Sequence, residues 1–167
     1  MAEARIASKT LVYDGWYKLY RMAVDMPDGS HVERHMIDNG SSVAVLPYDP
    51  VRRTCLLVSQ PRVPVQEAQE PALLEAIAGN LDGNAPEEQI RKEALEEAGL
   101  QLSELEPVSN IWSWAPVSTE RIQLYIARYG EADRVGYGGG DDENECILVH
   151  EISLDGPVGP KLRFWPC

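Results

Sequence analysis

Three glutamates, Glu93, Glu96 and Glu97, lie close together in a stretch that otherwise reads as helix. At about 100° per residue they fall within a single arc, while Ile90, Ala94 and Ala98 form an apolar stripe. One face is therefore expected to be acidic and the opposite one apolar. Glu93 and Glu97 are an i,i+4 pair of like charges, which by itself destabilises a helix by roughly 0.2–0.5 kcal/mol, and a bound cation reverses that sign. Carboxylates at this spacing offer oxygens to hard cations such as Mg²⁺, or Mn²⁺, which keep several waters and complete their shell with phosphate oxygens. The arrangement suits chemistry on a diphosphate. The bland alternative, a solvated helix face, is the commonest fate of charged helix positions, so the helix has to be read with its surroundings.

The helix itself is well marked. Pro86 sits in its first turn, Glu87 and Glu88 favour its positive end, and Gly99 is placed to close it, which predicts a helix over residues 86–98. Residues 11–37 read as a hairpin, with an aromatic-rich strand over 11–24, a turn at Asp28 and Gly29, and a return strand through Val32, His35 and Ile37. Aliphatic runs over 42–46 and 54–59, separated by a turn at Asp49 and Pro50, read as neighbouring core strands. Residues 122–128 form another strand with Ile122, Leu124 and Ile126 on one face, and 147–152 a further one. After Leu154 the prolines forbid a regular helix. The expected organisation is an N-terminal hairpin over 1–40, a core over 41–154 and an irregular tail over 155–167.

A chain of 167 residues supports one domain with a sizeable core. No apolar run approaches the roughly 20 residues needed to cross a bilayer, and no signal-peptide pattern opens the sequence, so a cytoplasmic protein with no membrane association is expected. Cys55, Cys146 and Cys167 are odd in number and widely spaced, which argues against a disulfide framework or a cysteine-based zinc site. His31, His35 and His150 are scattered without metal-site spacing and read as structural. The formal net charge of −12 disfavours nucleic acid as a partner. If the ligand is itself anionic, metal ions have to bridge the two.

Residues 79–100, a glycine-containing loop feeding the acidic helix, resemble the signature of the Nudix hydrolases: a glycine, then a glutamate, then Arg-Glu-x-x-Glu-Glu-x-Gly. Lys92, Glu93, Ala94, Leu95, Glu96, Glu97, Ala98, Gly99 and Leu100 match its second half with one conservative change. The loop is one residue shorter than the usual pattern, and Asn84 or Ala85 stands at the early glutamate. In the family that glutamate braces the arginine that is Lys92 here, and a lysine does not reproduce the guanidinium fork. Reduced metal affinity or activity is the expected consequence.

The likeness spans about residues 11–153 and points to the ADP-ribose pyrophosphatase branch. It rests on residues 46–52, Gln60 with Arg62, and 74–79 before the signature, on 115–121, which is similar to a substrate loop but lacks its glycine, and on Asp142 to Glu145 after Gly138 to Gly140. The resemblance implies an α/β/α sandwich around a mixed sheet, a small N-terminal antiparallel sheet, and a homodimer. It implies cleavage of a nucleotide-sugar substrate, ADP-ribose first and GDP-mannose second, to a nucleoside monophosphate and a sugar phosphate. By position, Glu93 and Glu97 are metal ligands, Glu96 is a third ligand or a support, and the Ala78 carbonyl completes the shell. Either Glu143 or Glu145 acts as general base or extra ligand, closing when substrate arrives.

Other positions read two ways. Arg62 contacts a phosphate or forms a surface ion pair. Trp16 and Tyr17 stand where the branch places an aromatic stacked on the nucleobase, and packing of the hairpin is the alternative, favoured for Tyr17. Trp112 and Trp114 flank Ser113 just before the substrate-loop candidate, and one is expected to face ligand and the other to turn inward. Glu75 and Glu120 position metal or substrate, or are surface residues. A different class of function, a nucleotide-binding or regulatory module without turnover, follows from the altered brace and the missing glycine, and the retained glutamates oppose it. Hydrolysis of dinucleoside polyphosphates is a further substrate alternative within the same chemistry.

Overall fold

The computed structural model describes residues 3–139 and 146–156. Glu143, Glu145 and the tail beyond residue 156 lie outside the described residues. The chain divides into two compact units, one of Met1–Ser41 with Ile111–Ile122, the other of Ser42–Asn110 with Gln123–Cys167.

The first unit is built on a three-stranded antiparallel sheet of β1 (Arg5–Asp14), β2 (Lys18–Asp25) and β3 (His31–Asp38) in that order. The single strand expected over 11–24 is two strands, parted by a turn at Gly15, Trp16 and Tyr17. Apolar alternation runs straight through that turn and hides it from a pattern reading. Residues 111–122 join this unit through β3. Ile37 donates its N–H to the Val117 carbonyl at 2.8 Å and accepts from Thr119 N–H at 2.9 Å. Thr119 Oγ1 donates to Asp38 at 2.8 Å and Ser118 Oγ to Asn39 at 3.0 Å.

The second unit is built on β4 (Ser41–Asp49), β5 (Thr54–Ser59), a short helix α1 (Val63–Glu67), β6 (Ile77–Asn80), α2 (Pro86–Ala98) and β9 (Leu148–Ser153), together with most of β7 (Glu106–Trp112) and β8 (Arg121–Arg128), whose residues 111–112 and 121–122 fall in the first. The sheet order is β7-β8-β4-β5-β9, with β6 paired to β4. β4 pairs antiparallel with β6 at its N-terminal end and with β5 at its C-terminal end. It is buried along most of its length, and its Val43 and Val45 are fully buried. Leu56 and Val58 of β5, Ile77 of β6 and Ile90, Ala94 and Ala98 of α2 complete the core with Tyr125, Ala127 and Tyr129. The expected α/β fold with its small antiparallel sheet is therefore observed.

Two faces differ in detail from expectation. On β8 the buried side chains are Tyr125 and Ala127, while Ile122, Leu124 and Ile126 are only half-buried on the other face. On α2 the acidic face is not opposite the apolar one, because Glu97 is buried beside Ile90, Ala94 and Ala98. Glu97 follows Ile90 by two helical turns, and seven residues return to within about 20° of the same direction.

Candidate active site

α2 begins where the sequence predicts, with proline in its first turn and Glu87 and Glu88 at its positive end, and ends at Gly99, whose φ of 61° is left-handed. Its partner is β6, which presents Ala78 and Gly79 opposite Ala44 and Val43 of β4. Glu93 lies across Gly79 so closely that a Cβ there would coincide with its carboxylate. Only glycine leaves that space. The structure thus brings Glu93 to the Ala78 and Gly79 pair, and sets Glu97, 5 % exposed, one turn further along the same helix. Glu96 is partly exposed and 3.4 Å from Lys92 Nζ.

The Glu93 carboxylate accepts a hydrogen bond from Gln89 Nε2 at 2.6 Å, and Gln89 Oε1 accepts one from Asn84 Nδ2 at 2.7 Å. The sequence reading did not single out Gln89, which the structure places against the Glu93 carboxylate. A glutamine four residues before a glutamate is the signal that could have found it. Arg91 Nη1 donates to the carbonyls of Leu102 and Ser103 at 2.6 and 2.8 Å, fixing the chain as it leaves α2.

Among the described residues no group of three or more His, Cys, Asp or Glu side chains is gathered as a ready cage for a metal ion. The donors still fit Mg²⁺, which is commonly held by one or two carboxylates and keeps its remaining positions for water and substrate phosphate. The carboxylates of Glu93 and Glu97 are hard oxygen donors of that kind, and Gly79 leaves room for the first of them.

Arg62 meets Glu75 in a fork, with Nη2 to Oε2 at 2.7 Å and Nε to Oε1 at 3.1 Å. Glu75 is itself fixed by two main-chain hydrogen bonds to Val58 at 2.8 and 2.9 Å. The ion-pair reading of Arg62 is therefore present in the structure, and the pair presents a guanidinium at the end of β5.

The loop after β8 is tied to the end of α2. Gly139 N–H donates to the Glu97 carbonyl at 2.9 Å, and Val135 N–H donates to the Gly99 carbonyl at 2.9 Å. Gly138, at φ 69°, passes so close that a Cβ would meet the Glu97 carbonyl and Ala98 Cα. Behind this loop Glu151 of β9 gathers four donors on Oε1: Arg134 at 2.9 Å, Tyr129 at 2.9 Å, Arg52 at 3.0 Å and Thr54 at 3.2 Å. Burial pushes the Glu151 pKa up, but the Tyr129 hydroxyl, Arg134, Arg52 and Thr54 outweigh it and hold the carboxyl below its ordinary value.

In the first unit, Trp16 is 89 % exposed at the β1–β2 turn, and the Tyr17 ring packs on Tyr13 with centroids 5.9 Å apart. Trp112 and Trp114 are both more than half exposed. The expected division into one inward and one outward ring fails because residues two apart on a strand share a face, and Trp114 in any case lies past the end of β7. Arg121 stacks over the Trp112 ring at 4.9 Å. Glu120 is held through its main chain, its N–H donating to Ser118 Oγ at 3.0 Å and its carbonyl accepting from Ser113 N–H at 3.2 Å.

The chain is 33 % identical over 160 residues to the ADP-ribose pyrophosphatase of Escherichia coli (strain K12), covering 92 % of this chain and 77 % of that protein. It is 35 % identical over 153 residues to the GDP-mannose pyrophosphatase of Pectobacterium atrosepticum, covering 88 % and 79 %. No family model matches the chain. Among solved structures, the crystal structure of an ADP compounds hydrolase superposes with a TM-score of 0.73 at 16 % identity, covering 92 % of this chain and 80 % of that one, which shows the shared fold.

Proposed function

We propose, because this chain belongs to the Nudix hydrolase family, that it hydrolyses the diphosphate bond of a nucleoside diphosphate-sugar to a nucleoside monophosphate and a sugar phosphate. ADP-ribose is the first candidate substrate and GDP-mannose the second, after the relatives that carry those names. The observation that carries the reading is Glu93 laid over Gly79 beside Ala78, with Glu97 one turn beyond.

Glu93, Glu97 and the Ala78 carbonyl are the residues that would hold Mg²⁺ or Mn²⁺, with Glu96 in support. Such a cation, when bound, neutralises diphosphate charge and lowers the pKa of a water. The chain's own residues do the rest. Gly79 clears space for the Glu93 carboxylate, and Glu97 presents a second carboxylate from within the helix–sheet packing. Glu143 or Glu145 takes the proton of the attacking water, and comparing E143Q with E145Q separates them. The guanidinium of Arg62, held by Glu75, offers a fork for a phosphate oxygen.

The homodimer is part of the same proposal. Support comes from the first unit, where Ile6, Val12, Tyr13 and Trp16 expose apolar surface on β1 and its turn. Cytoplasmic location is proposed from the free thiols of Cys55 and Cys146. No helix among the described residues is long and apolar enough to cross a membrane.

The test is release of a phosphate monoester, detected with a coupled phosphatase, from ADP-ribose, GDP-mannose, UDP-glucose and diadenosine polyphosphates with Mg²⁺ or Mn²⁺. Metal-dependent turnover that disappears in Glu97→Gln is the expected result. Nucleotide binding without turnover on any of them would instead identify a binding module.

A further inference from the structure

Gln89 is a polar side chain only 5 % exposed, in the N-terminal half of α2. A buried amide is costly unless both its ends are satisfied, and here they are. Its Nε2 donates to Glu93 Oε1 at 2.6 Å and its Oε1 accepts from Asn84 Nδ2 at 2.7 Å. The direction of this chain is set by chemistry. An ionised carboxylate only accepts, so Gln89 turns its NH₂ toward Glu93 and its carbonyl toward Asn84, which must then offer its own NH₂.

Local backbone places the far end. Asn84 N–H donates to the Leu81 carbonyl at 2.7 Å, closing a turn in which Asp82 (φ 46°) and Gly83 (φ 89°) are both left-handed. That turn delivers Asn84 to the start of α2, where the N-cap position, Ala85, supplies no side-chain cap. Asn84 reaches past it to Gln89. The same carboxylate oxygen, Oε1, lies over Gly79, which provides clearance for it. The cations beside Glu93 in sequence are directed elsewhere, Lys92 to Glu96 at 3.4 Å and Arg91 to the Leu102 and Ser103 carbonyls.

We propose that Asn84 and Gln89 form a neutral amide relay that orients the Glu93 carboxylate toward a divalent cation, which makes both of them positioning residues. The inference rests on the reading of Glu93 as a metal ligand. An uncharged relay fixes a carboxylate without offsetting its charge, so the chain braces its metal-facing glutamate with no salt bridge to the brace.

The test measures Mn²⁺ binding to the metal-free protein, by the electron paramagnetic resonance signal of free Mn²⁺, together with the Mg²⁺ dependence of turnover. Asn84→Asp is decisive because Asn84 is exposed and the two physical effects have opposite signs. Coulomb attraction from an added carboxylate tightens binding. Reversal of the relay turns the Gln89 carbonyl toward Glu93 and weakens it.

The relay predicts Mn²⁺ binding about tenfold weaker in Asn84→Asp, the lower end of what orienting partners of metal ligands contribute. Gln89→Met should weaken it similarly, and the Mg²⁺ concentration that gives half-maximal turnover should rise in step in both variants. Equal or tighter binding in Asn84→Asp, with Glu93→Gln weakened, overturns the relay and leaves the metal site standing. Unchanged binding in Glu93→Gln overturns the ligand reading and the relay with it. Melting of the metal-free proteins identifies a variant that has lost its fold. Asn84→Asp carries the result if Gln89→Met is one.

Discussion

Gly139 donates its amide hydrogen to the main-chain carbonyl of Glu97 at 2.9 Å, which joins the loop after β8 to the C-terminal end of the helix that carries the acidic residues. A helix C-terminus exposes carbonyls that need donors, and this loop supplies them to Glu97 and, through Val135, to Gly99.

Gly138→Ala tests that junction. The residue is left-handed at φ 69° and a Cβ would meet the main chain of Glu97 and Ala98, which cannot move aside as a side-chain tip can. The backbone conformation alone costs about 1–2 kcal/mol in a non-glycine residue, and displacement of the loop adds to it. Gly29→Ala is the control, because Gly29 has φ 84° with open space around it and should show only the conformational cost. Urea unfolding of the two variants is expected to place Gly138→Ala clearly below Gly29→Ala, and turnover should fall only in Gly138→Ala.

Gly79→Ala should behave in the reverse manner. The atoms that a Cβ would displace belong to the end of the flexible Glu93 side chain, so stability should drop by no more than about 1 kcal/mol. The Glu93 carboxylate, however, must leave its place beside Ala78. The Mg²⁺ concentration that gives half-maximal turnover is expected to rise at least tenfold, about the effect of losing an orienting contact to a metal ligand. An unchanged Mg²⁺ dependence would show that the position of Glu93 over β6 is immaterial to the reaction.

How far the sequence discloses this arrangement depends on the range of each interaction. α2 is legible because its signals are local: Pro86, the early glutamates and Gly99 all lie within or next to the helix. The burial of Glu97 is less so, since a wheel drawn around the acidic residues obscures that Glu97 shares a direction with Ile90. The link from Asn84 to Glu93 needs two consecutive left-handed residues at Asp82 and Gly83, and only the glycine advertises that. The fastening of residues 111–122 to β3 depends on Ile37 meeting Val117 and Thr119, a contact between segments far apart in the chain that no local pattern records.

Glu151→Gln should destabilise the protein at neutral pH. Arg52 and Arg134 both converge on Glu151 Oε1, and because Arg52 is exposed and the other two are only partly buried, removing the carboxylate should cost between about 1 kcal/mol, as for exposed pairs, and about 3 kcal/mol, as for buried ones. The lower end is expected here, since Asp49 retains Arg52 at 2.6 Å. The folded Glu151 carboxyl is held below the ordinary 4.5. Its contribution to stability is therefore complete above that value and is lost as pH falls through the lower native one. Urea midpoints measured from pH 7 down to pH 3 should fall less steeply below pH 4.5 in the variant than in wild type.

His150 predicts a separate acid limb at higher pH. The ring is 2 % exposed, its Nε2 is 2.7 Å from Ser59 Oγ, and burial lowers its pKa from the ordinary 6.5. The unfolded chain therefore binds a proton below pH 6.5 that the folded chain still refuses. Stability is full above 6.5, declines by up to about 1.4 kcal/mol per pH unit as pH falls toward the depressed native value, and is constant with respect to this group below it. Replacing His150 by Gln keeps an amide able to bond Ser59 and removes the titration. The variant should be less stable than wild type at pH 7.5, through imperfect packing, yet should lose less on going to pH 5.5. Parallel losses in the two proteins over that interval would place the acid sensitivity on other groups, and separate slopes would place it on the buried ring between β5 and β9.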